Sequence, residues 1–156
     1  MKIALVPAEQ KDLDTLLHMQ TEAFAELLAK YRDYDTSPAN ESYEKILLRF
    51  RQPETTYYFI VAGNETVGAI RIVDFQDDQT RKRISPLFIL PAYRNKGYAQ
   101  KAMAEAERIH GHSHWALETI WQEAGNCYLY EKLGYHRTGK TQVINDKLTL
   151  VFYEKD

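Results

Sequence analysis

Residues 84–110 read "ISPLFILPAYRNKGYAQKAMAEAERIH", and few folds can accommodate such a stretch. An apolar, strand-like run closes at a proline, a short basic loop with a single glycine follows, and an alanine-rich helical pattern begins at once. On that helix, expected from about Lys96 to His110, Ala99, Ala102, Met103, Ala106 and Ile109 form one apolar stripe, while Lys101, Glu105 and Arg108 lie on the wet side. The stripe needs a sheet to pack on. The first turn, "RNKGYA", then carries free backbone N–H groups at the positive end of the helix dipole, flanked by Arg94 and Lys96. Such a turn suits anionic oxygens, and Gly97, having no Cβ, lets them approach the backbone. A glycine before a helix is common, so this turn alone does not identify a phosphate site.

The rest of the chain supplies the sheet. "KIALVP" reads as a first strand, and Leu13, Leu16, Leu17, Phe24, Leu27, Leu28 and Tyr31 recur at helical spacing. "RDYDTSPANES" is a loop by its Asp, Ser, Pro and Asn content, and "YEKILLRFRQ" is a second, shorter helix. "TYYFIVAG", "ETVGAIRIVDF" and "KRISPLFIL" are β-rich runs separated by the turns "GNE" and "QDDQ", which predicts an antiparallel meander. After the glycine-loop helix come a strand "WALETIW", a helix from about Gly125 to Leu133, and a strand pair turning at "ND" in "VINDKLTLVF". The order β, α, α, β, β, β, α, β, α, β, β is an α/β layout with helices covering a mixed sheet.

Composition narrows the function. The 156 residues carry a net charge of −2 with a pI near 6.2, so no global basic field draws the chain onto nucleic acid or anionic lipid. No apolar run approaches the ~18 residues of a membrane span, and "MKIALVPA" is too short for a signal peptide. One cysteine, Cys127, allows no internal disulfide framework. A single cytoplasmic domain over 1–156 is the expectation, with neither nucleic acid nor membrane as a partner.

"RNKGYA" fits the pattern [Arg/Gln]-x-x-Gly-x-[Gly/Ala] and resembles the acyl-CoA-binding loop of the GNAT superfamily of N-acetyltransferases. "LFILPAYR" before it is similar to that family's approach from strand to loop, and "LYEKLGY" at 129–135 to its penultimate-helix signature. The element order matches over nearly the whole chain. The resemblance implies an α/β fold of GNAT type: a mixed, mostly antiparallel sheet with a splayed parallel strand pair, flanked by about four helices. It implies acetyl-CoA as co-substrate and no metal. The backbone amides of Arg94, Asn95, Lys96, Gly97, Tyr98 and Ala99 would hold the pyrophosphate of coenzyme A, with Arg94 and Lys96 adding charge. Leu87 and Ile89 would pair their backbone with the pantetheine arm, where the strand splays from "WALETIW", and the Ile89 N–H would face the thioester oxygen. Tyr130 matches a tyrosine that protonates the departing thiolate. Asn126 could bond pantetheine or phosphate, although many relatives carry Asn where this chain has Glu123.

The chemistry sets its own requirements. An amine of pKa near ~10.4 must lose a proton before it attacks a thioester, so a base is needed. Glu118 on "WALETIW" is the best-placed carboxylate, and it also reads as a solvent-facing strand residue. Glu22, Tyr31, Tyr57 and Tyr58 are weaker acceptor-side candidates. The expected acceptor is a small-molecule amine or a peptide amine, and a homodimer is compatible with the sequence. Residues 33–44, "DYDTSPANESYE", hold four carboxylates and no Lys or Arg, which favours a small cationic amine; an acidic loop is also simply soluble. The alternative to an enzyme is a non-catalytic acyl-CoA-binding module. A P-loop or dinucleotide domain lacks the glycines and the Lys-Ser/Thr pair it needs. His110, His112 and His114 in "HGHSH" have no paired Cys or Asp to complete a zinc set, and Cys127 reads as a small buried hydrophobe. "RKR" at 81–83 reads as the protected edge of a hairpin.

Overall fold

In a computed structural model that describes residues 2–156, the inner strands of one sheet alternate between a face under helices α1 and α2 and a face under helices α3 and α4. Met1, the first residue of the stretch read as too short for a signal peptide, lies outside them. The elements are β1 (Ile3–Pro7), α1 (Leu13–Tyr31), α2 (Tyr43–Phe50), β2 (Thr55–Ala62), β3 (Glu65–Val73), β4 (Lys82–Ile89), α3 (Tyr98–His110), β5 (Trp115–Ile120), α4 (Ala124–Lys132), β6 (His136–Val143) and β7 (Thr149–Lys155). This is the order expected from the sequence. The seven-stranded sheet runs β1-β2-β3-β4-β5-β7-β6, with β4 and β5 parallel and every other pair antiparallel.

Local chemistry places the boundaries. Ser42 caps α2 by accepting from the Lys45 amide at 3.2 Å. The β3–β4 turn closes on Asp77, whose Oδ1 accepts from the amides of Gln79 (2.9 Å) and Thr80 (2.6 Å). At the last hairpin Asn145 Oδ1 accepts from the amides of Lys147 and Leu148. Ile60, Ile70, Ile72, Met103 and Trp115 fill the α3 side, and Leu13, Leu16, Ile46 and Tyr57 the α1 side. Burying each such side chain stabilises the fold by about 2 kcal/mol. No helix among the described residues is long and apolar enough to cross a membrane.

Two sequence expectations are corrected. The inner face of α3 is Ala102, Met103, Ala106 and Glu107, while Ile109 is 42% exposed. Polar residues take inward positions because partners meet them there: Lys155 Nζ reaches Glu107 at 3.0 Å, and His110 lies between Asp74 Oδ2 (2.8 Å) and the Tyr58 hydroxyl (2.9 Å). The "RKR" triplet is no hairpin edge either, because β4 has β3 on one side and, at Lys82 and Arg83, β5 on the other. Arg81 donates to the Trp115 and Lys155 carbonyls, Lys82 to that of Ser113, and Arg83 meets Glu118 at 3.3 Å. The triplet fastens the two halves of the sheet together.

Candidate active site

The parallel pair β4–β5 is registered only at Lys82↔Trp115 and Arg83↔Ala116, after which the strands part. On its other side β4 continues along β3 as far as Gly68↔Ile89, and the Leu90 N–H donates to Val67 O at 2.8 Å. Backbone groups alternate sides along a strand, so Leu90 and Phe88 address β3, whereas Ile89 and Leu87 address the gap that β5 has left. A β-bulge at Ser85 and Pro86 bends β4 just where the gap opens, and Arg71 donates to the Ser85 carbonyl from behind. The strand therefore enters the gap as an edge with no neighbouring strand, its Ile89 carbonyl taken by the Arg94 side chain.

The chain leaves β4 through one turn of 3-10 helix at Pro91–Tyr93 and reaches α3 through Asn95 and Gly97, both left-handed at φ 64° and 79°. Gly97 is the N-cap, so the helix starts at Tyr98 rather than Lys96. A Cβ built on Gly97 would meet no protein atom within 4 Å. The turn is bare towards solvent and its φ suits glycine. Arg94 is directed inward: Nη2 donates to Ala23 O on α1 (2.7 Å), Nε to Ile89 O (3.1 Å), and its amide to Pro91 O (3.4 Å). It braces the loop against α1, which leaves Lys96 as the cation projecting from the turn.

A cavity of about 530 Å³ fills the gap. Leu87, Ile89, Arg94, Asn95, Gly97, Tyr98, Ala99, Asn126 and Tyr130 all line it; of the residues predicted for the cofactor, only Lys96 does not. Through shared walls at Phe24, Leu27, Leu87, Asn126 and Tyr130 it meets a second chamber of about 190 Å³ that reaches Asp33 and Glu118. Glu118 alternates with the buried Leu117 and Thr119 and pairs with Arg83. Tyr130 stands at the junction, packed edge-on near Tyr135 and tilted against Tyr153. Its hydroxyl makes no hydrogen bond to another described residue, and burial, helped by the neighbouring Cys127, pushes its pKa up to about 12.

Other candidates lie elsewhere. Glu22 is exposed and lines neither chamber, Tyr57 is buried under α1 and α2, and Tyr58 is taken by His110. Tyr31 donates to Glu123 at 2.5 Å and Lys30 donates to the same carboxylate at 2.9 Å, so Glu123 ties the end of α1 to the start of α4. These contacts hold the Glu123 carboxyl below its ordinary pKa against the opposing effect of burial. Of the four acidic residues in 33–44, Asp33 alone lines a chamber; Glu41 is saturated by Arg49 (2.8 Å), Lys45 (3.5 Å) and Gln20 (2.7 Å). Sequence reasoning missed Phe24 and Leu27 as cavity walls, because helical spacing looks the same over a cavity as over a core. The three histidines diverge: His112 faces Glu107 at 3.5 Å, and His114 Nε2 is buried without a partner. Cys127 is buried, with Sγ 3.9 Å from the Ile120 and Trp121 carbonyls.

Comparisons with known proteins agree with this geometry. The sequence profile of the acetyltransferase (GNAT) family matches residues 15–135. No curated protein gives a significant match. Among solved structures, an acetyltransferase from Thermus thermophilus superposes with a TM-score of 0.75 at 15% identity, covering 98% of this chain and 96% of that one. The PaiA N-acetyltransferase of Thermoplasma acidophilum, in complex with coenzyme A, gives 0.75 at 18% identity with 100% of both chains covered. A spermidine N-acetyltransferase of Vibrio cholerae, in complex with CoA and spermine, gives 0.75 at 14%, covering 97% of this chain and 94% of that one. At such identities the superpositions speak for the fold.

Proposed function

This chain belongs to the acetyltransferase (GNAT) family of acyltransferases, and we propose that it moves an acetyl group from acetyl-CoA to a primary amine by direct attack within a ternary complex. One observation carries the proposal. The edge of β4 that has no neighbouring strand runs into the bare turn at Gly97 inside a single cavity, so an extended arm ending in a pyrophosphate has a strand to pair with and a helix N-terminus to end on. The backbone of Leu87 and Ile89 would hold the pantetheine arm. The amides of Asn95, Lys96, Gly97, Tyr98 and Ala99 would hold the pyrophosphate, with Lys96 supplying charge, Arg94 supporting the loop, and Asn126 bonding the arm from α4.

Bound acetyl-CoA supplies a thioester whose carbonyl carbon accepts the amine. The new C–N bond puts negative charge on the carbonyl oxygen, where the Ile89 N–H donates, and the C–S bond then breaks with its electron pair left on sulfur. Glu118 takes the proton that the nitrogen must lose. Tyr130, protonated across the neutral range, donates a hydrogen bond to the departing sulfur. Complete transfer to a thiolate of pKa ~8.5 would run uphill, so charge stabilisation is the larger part of its role, and solvent returns the final proton. The whole reading assigns residues 1–156 to one cytoplasmic catalytic domain. The test is an acetyl-transfer screen over amine classes, with acetyl-CoA binding followed by calorimetry. Binding with amine-dependent release of free thiol is expected; acetyl-CoA binding without transfer to any amine would instead support a binding module.

A further inference from the structure

The second chamber holds a carboxylate with no counter-charge beside it. Asp33 follows α1 in a turn fixed by its own backbone carbonyl, which accepts from the amides of Thr36 (3.1 Å) and Ser37 (2.8 Å). Its Oδ1 is buried without a hydrogen-bond partner, and no described cation pairs with it. Its acidic neighbours differ, since Glu41 has Arg49 and Lys45, and Glu118 has Arg83. Partly burying a carboxylate with no counter-charge is costly, and burial raises the Asp33 pKa, outweighing the opposing effects of its own amide and the Thr36 hydroxyl. Such a group gains most when a cation arrives.

We propose that Asp33 is the specificity-determining residue for the acceptor, which is a short aliphatic diamine: one nitrogen lies beside Tyr130, and the other, as an ammonium, pairs with Asp33. The proposal rests on the acetyl-transfer reading above. Tyr130 and Asp33 line the same chamber, and Phe24, Leu27, Leu117 and Leu148 line it with them, so a methylene stem has apolar walls to lie along. The volume of about 190 Å³ equals that of roughly six waters at ~30 Å³ each, which suits a four- or five-carbon stem. A monoamine of equal length would leave Asp33 unpaired, and an anionic tail would be repelled by it.

The experiment measures steady-state acetylation of putrescine, n-pentylamine and δ-aminovalerate by the wild type and by Asp33→Asn. In the wild type putrescine should exceed n-pentylamine in kcat/KM by about 10-fold or more. Asp33→Asn should lower kcat/KM for putrescine by about 10- to 100-fold, mainly through KM. It should change n-pentylamine less than about threefold, raise δ-aminovalerate, and leave acetyl-CoA affinity unchanged. Equal losses for putrescine and n-pentylamine, or a wild type indifferent between them, would overturn the diamine assignment while leaving acetyl transfer standing. Transfer only to acceptors that are not short aliphatic diamines would overturn it as well. No transfer to any amine, with acetyl-CoA bound, would overturn the catalytic reading and this assignment with it.

Discussion

Gly68 lies opposite Ile89 at the point where β4 runs on beside the gap, and it allows the most demanding test of the site's construction. A Cβ there would fall 2.1 Å from the Phe88 carbonyl oxygen and 3.0 Å from both Phe88 C and Ile89 Cα. Carbon–oxygen contacts settle near ~3.3 Å, so Gly68→Ala is about 1 Å short of room, and the obstructing atoms are backbone rather than a side chain that can swing away. Overpacking of this kind costs about 1–3 kcal/mol, and a backbone obstacle belongs at the upper end. Stiffening the unfolded chain offsets about 0.4–1 kcal/mol of it, which leaves roughly 2 kcal/mol of net destabilisation. At about 2–4 °C per kcal/mol for a chain of this size, Tm should fall by about 4–8 °C. The strand can give way only towards the gap, carrying Ile89 into the space assigned to the thioester, so acetyl-CoA affinity should drop about 10-fold. Gly125→Ala is the control: it sits in α4 with nothing within 4 Å of its Cβ and should not lower Tm. Calorimetric melting and titration with acetyl-CoA give both readouts. A Gly68→Ala protein that melts and binds like the wild type would refute the argument that this close approach holds β4 in place.

Three further outcomes follow from the geometry. Gly97→Val places a β-branched residue at φ 79° and fills the bare turn; it should cost about 1–2 kcal/mol of stability and weaken acetyl-CoA binding at least about 10-fold by calorimetry, whereas wild-type affinity would show that the turn is not the phosphate cradle. Tyr130→Phe should lower kcat about 10²-fold with acetyl-CoA affinity nearly unchanged, and a retained kcat would mean that sulfur departs without help from this phenol. Burial raises the Asp33 pKa above its unfolded value, so between the two values the native state binds more protons than the unfolded chain, and the charged carboxylate destabilises the fold once pH exceeds the native value. Asp33→Asn should therefore be at least as stable as wild type at pH 7, with the difference closing as pH falls through the native pKa; chemical denaturation across that range checks the sign.

Much of the fold was legible because its signals are local. The period-2 runs of β2 and β3, the cap at Ser42 and the turns at Asp77 and Asn145 depend on residues close in sequence, and their elements formed where expected. Ile109 was misassigned, and the burial of Glu107 went unseen, because positions on α3 were decided from afar, by Lys155 of β7 and by the meeting of Asp74 with His110. The "RKR" triplet misled for a related reason: nothing in its composition says that a parallel strand arrives beside it. In the site, Gly97 and Tyr130 stood within recognisable motifs. The inward turn of Arg94 and the lack of a cation beside Asp33 could not be seen, since both depend on what surrounds the side chain in space.

The two registered pairs at Lys82 and Arg83 also give the molecule a mechanical character. With β4 and β5 joined at one end and free at the other, the sheet is a pair of tongs whose fulcrum is the basic triplet. Ile89 stands six residues along the arm from Arg83, roughly 20 Å at ~3.3 Å per residue. A tilt of about three degrees at the fulcrum would then displace the Ile89 amide by roughly 1 Å, enough to break or make a hydrogen bond. The aim of the β4 edge at Ile89 is thus set at the far end of the lever, where Arg81 grips the Trp115 and Lys155 carbonyls and Arg83 grips Glu118.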